Sequence, residues 1–211
     1  MEYTKVKIME KIVIFDNSPL VIAGLEYILQ GSDFDVVAAT SNADTFFSHI
    51  ILENPDYVII DPHSMKDESI QRLNYLKKLF IDLKVIIFSS SNAMFHLMRS
   101  YRFTLEAYLD KNQPLENLLR VLITQKNDDA LTSFRPECVY KIFNAPDNLL
   151  QLTNREIQVL YKIITGKTNR IIAEEMFLSN KTVSSHKRNI MHKIGAKSLR
   201  DVFDFAKLHG L

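Results

Sequence analysis

The sequence predicts an α/β doubly wound five-stranded parallel sheet over residues 1–125 and an all-α four-helix domain over residues 148–211, joined by a linker at 126–147. Three observations carry that expectation. In the first part, short unbroken apolar runs alternate with segments of helical spacing, as expected of strands buried on both faces and connected by helices. Beyond residue 148 the only periodicity is helical. The charge also divides: residues 1–125 carry 12 Lys and Arg against 16 Asp and Glu, whereas residues 146–211 carry 11 against 6.

The elements follow in order. Residues 11–16 (KIVIFD) are an apolar run ending in an acid, and residues 19–30 place Val21, Ile22, Leu25, Ile28 and Leu29 at helical spacing. Residues 34–40 read as a strand and 42–53 as a helix. Residues 57–61 (YVIID) again end in an acid, and 69–80 carry Ile70, Leu73, Leu76 and Leu79 on one helical face. Residues 84–90 (KVIIFSS) are a strand, 92–99 a helix, 107–109 a short strand and 115–123 a helix. Right-handed crossovers then close five βα units into one parallel sheet. Residues 126–147 break the pattern with Asn127, Asp128, Asp129, Pro136 and Pro146.

In the C-terminal part, Thr153 and Glu156 have the spacing of a capping box, and Ile157, Leu160, Ile163 and Ile164 form an apolar face that stops at Gly166. Thr168 or Asn169 caps a second, short helix carrying Ile171, Ile172, Ala173 and Met176. Residues 177–179 turn the chain, Asn180 caps a third helix that runs to Ile194, and Gly195 ends it. Ser198 starts a fourth. A short helix, a three-residue turn and a longer helix make a helix-turn-helix arrangement.

Composition narrows the function classes. With 46% hydrophobic and 24% charged residues the chain can build a core. No apolar run reaches the length of a membrane span, and residues 1–11 have no signal-peptide pattern. The single cysteine, Cys138, excludes an intramolecular disulfide and fits a reducing cytoplasm. No His or Cys spacing suggests a structural metal site. No Gly-rich phosphate loop or G-x-S-x-G motif supports an enzyme, so the expectation is a cytoplasmic protein that is not one.

Four polar residues end the expected strands: Asp16, Asp61, Ser89 and Lys111. Ligands of an open α/β sheet bind at the carboxyl ends of its strands. Two carboxylates there can hold a hard cation, while a hydroxyl and an amine can contact the oxygens of a phosphoryl group moving onto one of them. Residues 1–125 resemble the receiver domain of bacterial two-component response regulators. The resemblance implies that Asp61 is the phosphate acceptor, that Asp16 with Asp61 binds Mg²⁺, and that Ser89 and Lys111 contact the phosphate. It also implies that Tyr108 is the aromatic whose packing is coupled to phosphorylation. The chain departs from that family in several places. Asn17 stands where the family has a second acid, which loses a charge and weakens Mg²⁺ binding. Met65 and Ser69 stand where it has Pro and Gly, and residues 102–106 lack its usual glycines.

The third C-terminal helix separates its faces. Val183, Ile190, Met191 and Ile194 point inward, whereas Lys181, Ser184, Ser185, Arg188 and His192 share an outer face flanked by Thr182, Lys187 and Asn189. No acid occurs from Asn180 to Ile194. A basic, short-chained face suits a major groove, where Lys and Arg meet phosphates or guanine edges and Ser and Asn adapt to either.

This segment is similar to the LuxR-type helix-turn-helix domain of NarL/FixJ regulators. The matching residues are Leu152, Thr153, Arg155, Glu156, Val159, Leu160, Gly166, Asn169, Ile172, Ala173, Leu178, Ser179, Lys181, Thr182, Val183, His186, Ile190, Lys193 and Ile194. The resemblance implies that the third helix enters double-stranded DNA, with His186 among its contacts. It further implies that the last helix, through Val202, Phe203 and Leu208, forms a homodimer contact. Together the two resemblances imply a transcriptional regulator whose output is controlled by phosphorylation at Asp61, partnered by a sensor histidine kinase or a second regulator. The alternative is a phosphorylation-independent regulator whose first domain serves dimerisation or partner binding.

Overall fold

The computed structural model describes residues 9–91, 105–126 and 151–208, together with 94, 97, 98, 100 and 101. The expected linker at 126–147, apart from Lys126, which ends a helix, lies outside the described residues with Cys138 and most of the helix expected at 92–99. The side chain of Leu208 does too. Contacts gather the described residues into two units. One is built from 9–90 and 105–126, and the other from 151–208 with the described residues of 91–101.

The first unit is the expected sheet. Its strands are β1 (Glu10–Phe15), β2 (Phe34–Thr40), β3 (Tyr57–Ile60), β4 (Lys84–Ser89) and β5 (Ala107–Asp110), all parallel in the order β2-β1-β3-β4-β5. Helices α1 (Pro19–Leu29), α2 (Ala43–Glu53), α3 (Asp67–Leu79) and α4 (Glu116–Lys126) alternate with them. The unbroken apolar runs correspond to strands shielded on both faces: Ile12 to Phe15 and Tyr57 to Ile60 are essentially inaccessible. The strand order reverses direction between β1 and β3, so the carboxyl ends of these two strands flank the crevice where such sheets bind ligands. Between β3 and α3 the chain makes a 3₁₀ turn, Pro62–Ser64, and α3 begins at Asp67 rather than Ser69. Proline at the first turn position and the Asp61 carboxylate accepting from the His63 N–H explain that turn.

The second unit contains α5 (Asn154–Ile164), α6 (Asn169–Glu175), α7 (Asn180–Ile194) and α8 (Leu199–Leu208). The capping box forms as expected: the Glu156 N–H donates to Thr153 Oγ1, and the Glu156 carboxylate accepts from the Thr153 N–H at 2.7 Å. Thr168 caps α6. The cap of α7 is Ser179, not Asn180: the Ser179 hydroxyl accepts from the Thr182 N–H at 3.0 Å, and Asn180 is the first helical residue. Gly195 ends α7 at φ +73, a left-handed conformation that a side chain would oppose. Leu152, Val159, Leu160, Ile163, Ile172, Met176, Val183, Ile190, Ile194 and Val202 form one core.

Candidate acid pocket and nucleic-acid interface

The sheet brings the four strand-end residues to one place. Asp16 follows β1, Asp61 follows β3, Ser89 ends β4 and Lys111 follows β5. Ladder-like hydrogen bonds past the strand ends hold them in register: the Asp61 N–H donates to the Phe15 carbonyl at 2.9 Å, and the Lys111 N–H donates to that of Ser89 at 3.3 Å. Lys111 Nζ lies 2.6 Å from Asp16 Oδ2 and 2.5 Å from Asp61 Oδ2. Ser89 Oγ donates to Asp61 Oδ1 at 2.8 Å.

Each remaining carboxylate oxygen also has a donor. Asp16 Oδ1 accepts from the Ser18 N–H at 2.8 Å, and Asp61 Oδ1 accepts from the His63 N–H at 3.0 Å. Asp16 is almost wholly buried, with its side chain 3% exposed. Burial pulls the Lys111 ammonium toward neutrality, but its hydrogen bonds to Asp16 and Asp61 outweigh that, and its pKa is raised. Tyr108 is buried within β5, three residues before Lys111. His63 is exposed at the 3₁₀ turn and meets the pocket through its backbone N–H.

A hard cation needs several oxygen ligands. Here the pocket offers two carboxylates, both held by Lys111, and a neutral, exposed Asn17. Among the described residues no group of three or more His, Cys, Asp or Glu side chains is arranged to hold a metal ion. Two carboxylates completed by waters are a donor set that Mg²⁺ uses, and the Asn17 amide would add an oxygen but no charge.

The second unit presents its charge differently. Helix α7 packs Val183, Ile190 and Ile194 against α5 and α6, and leaves Lys181, Ser185, Arg188, Asn189 and His192 exposed. Thr182, His186 and Lys187 are half-buried. Among the described residues, none of Lys181, Lys187, Arg188 or His192 forms an ion pair with an acid. Ser184 departs from the expected outer face. It is half-buried, its hydroxyl donates to the Asn180 carbonyl at 2.9 Å, and it lies 3.3 Å from the donating Asn169 Nδ2. Helical spacing places it outward, but its angle brings it against the start of α6. Ser184 thus links the two helices of the motif.

Other basic residues of this unit hold α7 in place. Lys193 Nζ pairs with the buried Glu156 carboxylate at 2.7 Å. Burial raises the Glu156 pKa, but the Lys193 and Thr153 hydrogen bonds outweigh it, and the net shift is downward. Arg155 Nη2 donates to the Met176 carbonyl at 2.6 Å, and Lys162 and Lys167 each pair with Glu175 at 2.7 Å. These clamps secure the end of α6 just before Phe177, which turns the chain with a positive φ of 54° and is 96% exposed. Periodicity carries no signal for them, because the partners lie on different helices.

The expected dimer face on α8 is also revised. Val202 is 1% exposed and belongs to the unit's own core, so it is not available to a second copy. Of the other two residues expected there, Phe203 is 40% exposed, and the side chain of Leu208 lies outside the described residues.

Comparison with known proteins agrees with both halves. Residues 12–123 match the model of the response regulator receiver domain, and residues 150–206 match that of the luxR family of bacterial regulatory proteins. The chain is 31% identical over 196 residues to the DNA-binding transcriptional activator EvgA of Escherichia coli K12, covering 92% of this chain and 96% of the relative. It is 28% identical over 209 residues to the fimbriae Z protein of Salmonella typhimurium, covering 95% and 97%. Its fold is like that of RcsB from Salmonella enterica serovar Typhimurium, solved bound to a promoter with the phosphomimetic BeF₃⁻, at TM-score 0.72 and 20% identity over 93% of this chain and 98% of that one.

Proposed function

The chain belongs to the response regulators of the NarL/FixJ type, with a receiver domain and a luxR-family output domain, and from that premise we propose how its two charged regions divide the work. The second unit binds double-stranded DNA and regulates transcription, the role that the name of the relative EvgA, a DNA-binding transcriptional activator, gives to that protein. One observation carries this reading: α7 offers an exposed face with Lys181, Ser185, Arg188, Asn189 and His192, free of acids, on a helix clamped to α5 and α6. In the major groove Lys181, Arg188 and the half-buried Lys187 contact phosphates or guanine edges, while Ser185 and Asn189 adapt to bases. Thr182 and His186 contact the backbone from the flanks, and Ser184 acts by linking α6 to α7. The chain acts as a homodimer on DNA, through Phe203 on α8.

We infer that Asp61 is the phosphate acceptor of the first unit. An Asp61 carboxylate oxygen attacks the phosphorus of a phosphohistidine or an acyl phosphate, and the bond to the donor breaks with its electron pair leaving on the donor. Lys111 and Ser89 then contact the phosphoryl oxygens, and Tyr108 couples the pocket to the surface of its sheet. Receiver domains generally use Mg²⁺ for phosphorylation. In this chain any Mg²⁺ contact falls to Asp16 and Asp61. Domain boundaries at 1–125, 126–147 and 148–211 and a cytoplasmic location complete the proposal. Among the described residues no helix is long and apolar enough to cross a membrane.

Promoter binding measured across a salt series tests the DNA reading. Replacing Lys181, Lys187 or Arg188 by Ala should weaken binding and lower the salt slope by about one unit for each phosphate no longer neutralised. Unchanged affinity and slope in all three would refute it. Asp61→Ala addresses the acceptor: a phosphate mass shift on incubation with acetyl phosphate should vanish in that variant. A second reading, regulation without phosphorylation, is favoured by one observation: Lys111 already satisfies an oxygen of each carboxylate. It predicts that Asp61→Ala leaves promoter output unchanged.

A further inference from the structure

At its amino end β5 is tied down by a side chain as well as by the sheet. We propose that Glu106, oriented by Lys77, is a positioning residue that fixes the register of β5 and so sets where Tyr108 and Lys111 fall. The inference rests on the reading of the acid pocket as the acceptor site and adds what places two of its residues. Residues 102–106, where the chain lacks its family's usual glycines, end on this glutamate.

Strand β5 has need of such a device. It stands at the edge of the sheet beside β4 and is four residues long. Ala107, Tyr108 and Leu109 are all buried, so no alternation of apolar and polar residues ties the strand to one register. A slip of one residue would turn every side chain to the opposite face and carry Lys111 out of place. The ladder between β4 and β5 begins at Ile86 with Ala107, and Glu106 carries it one residue further. Its N–H donates to the Val85 carbonyl at 3.1 Å, and its Oε2 accepts from the Val85 N–H at 2.5 Å. Its Oε1 lies 2.5 Å from Lys77 Nζ of α3, which also donates to the Leu83 carbonyl at 2.5 Å. The two side chains are 13% and 17% exposed. Desolvation offsets much of the attraction in a buried ion pair, so its contribution is more to position than to stability. In a slipped register Leu105 or Ala107 would stand opposite Val85. Neither side chain can accept from Lys77, whose buried ammonium would lose its partner.

Glu106→Leu removes the carboxylate and keeps a side chain of similar size. The full chain is labelled with limiting acetic anhydride, each lysine is quantified by peptide mass spectrometry, and far-UV circular dichroism verifies folding. Lys111 should react at least about tenfold faster in the variant than in the wild type, because the strand that presents it no longer has one register. Lys84, at the start of β4 with its ammonium 3.0 Å from the Tyr57 hydroxyl, is the control. It reports loosening beside the substitution, not the register of β5, and its rate should change by less than about twofold. Phosphate uptake from acetyl phosphate and Mg²⁺, per folded molecule, should fall at least about tenfold.

A folded Glu106→Leu whose Lys111 reacts at the wild-type rate would overturn the proposal. Equal acceleration of Lys84 and Lys111 would do so too, since that is general loosening. So would phosphate uptake that is unchanged while Lys111 has become reactive. If Glu106→Leu does not fold, the double variant Lys77→Met, Glu106→Leu takes its place, because apolar side chains of similar size commonly replace a buried ion pair without loss of the fold. The same three outcomes decide there. Lysine reactivity is read without any phosphoryl donor. A chain whose Lys111 responds as described, but which never takes a phosphate even as wild type, would refute the acceptor reading and leave the role of Glu106 in β5 standing.

Discussion

In the first unit Lys111 lies between Asp16 and Asp61, and every oxygen of both acids has a donor. In the second, Lys181, Arg188 and His192 stand on α7 with no acidic partner among the described residues, while Arg155 and Lys162 on α5 and Lys193, next to His192 on α7, are tied to acids or carbonyls. The same residue types therefore serve two purposes. Charge that is paired and buried fixes geometry and is costly to disturb. Charge that is exposed and unpaired adds little to stability and remains available to a polyanion.

The contrast can be broken most severely at Lys111. In Lys111→Met, two carboxylates with side chains only 3% and 13% exposed face each other without a cation. The first unit should lose about 3 kcal/mol of stability, and Asp16→Asn in the same chain should restore part of it. Hydrogen exchange of peptides from β1 and β5 reads this, and protection equal to the wild type would show that the pair is not structural.

Glu156→Ala is the next largest change. It removes the capping box on α5 together with the partner of Lys193, and should cost the second unit about 2 kcal/mol, because Lys193 can still turn to water. Exchange in α5 and α7 should rise while the sheet is unaffected.

Acidity and alkalinity should separate the two units. Glu156 and Glu175 both titrate below the usual carboxylate range: burial raises them, and hydrogen bonds from Lys193 and Thr153, and from Lys162 and Lys167, lower them further. Their contribution is complete above about pH 4.3 and is lost as pH falls through the lowered values. Lys111 has a raised pKa, so its contribution is complete below about pH 10.4 and is lost as pH rises through the raised value. Acid should then loosen the second unit through these two glutamates, and alkali the first through Lys111. Exchange profiles at both extremes check this, and glutamate variants with an unchanged acid profile would remove the basis for half of it.

The smallest effect sharpens the comparison from the other side. Lys181→Ala and Arg188→Ala should change the melting temperature by less than the equivalent of about 0.5 kcal/mol, because these exposed charges hold nothing in the unbound chain. A larger loss would mean that the α7 face is part of the fold.

Much of the fold and of both sites is legible in the sequence. The strands are visible because residues shielded on both faces read as unbroken apolar runs, and the acids ending two of them point to the crevice. Thr153 and Glu156 announce a helix start because a capping box is a local spacing. Ser179 is hidden as the cap of α7 because Asn180, next to it, is an equally good cap in sequence terms. Ser184 reads as outward because periodicity assigns a direction but does not know that α6 crosses there. The resemblance places Val202 on a dimer face, whereas the unit's own core claims it.

The sequence by itself determined the two architectures, the residues that reach the sheet crevice and the acid-free helix, since these depend on alternation, period and residue type over a few neighbours. Only the tertiary structure decided which charges are paired. Lys111 meets Asp16 and Asp61 from 95 and 50 residues away, and Lys193 meets Glu156 from 37. Contacts over such separations follow from how elements pack, and no local pattern encodes them.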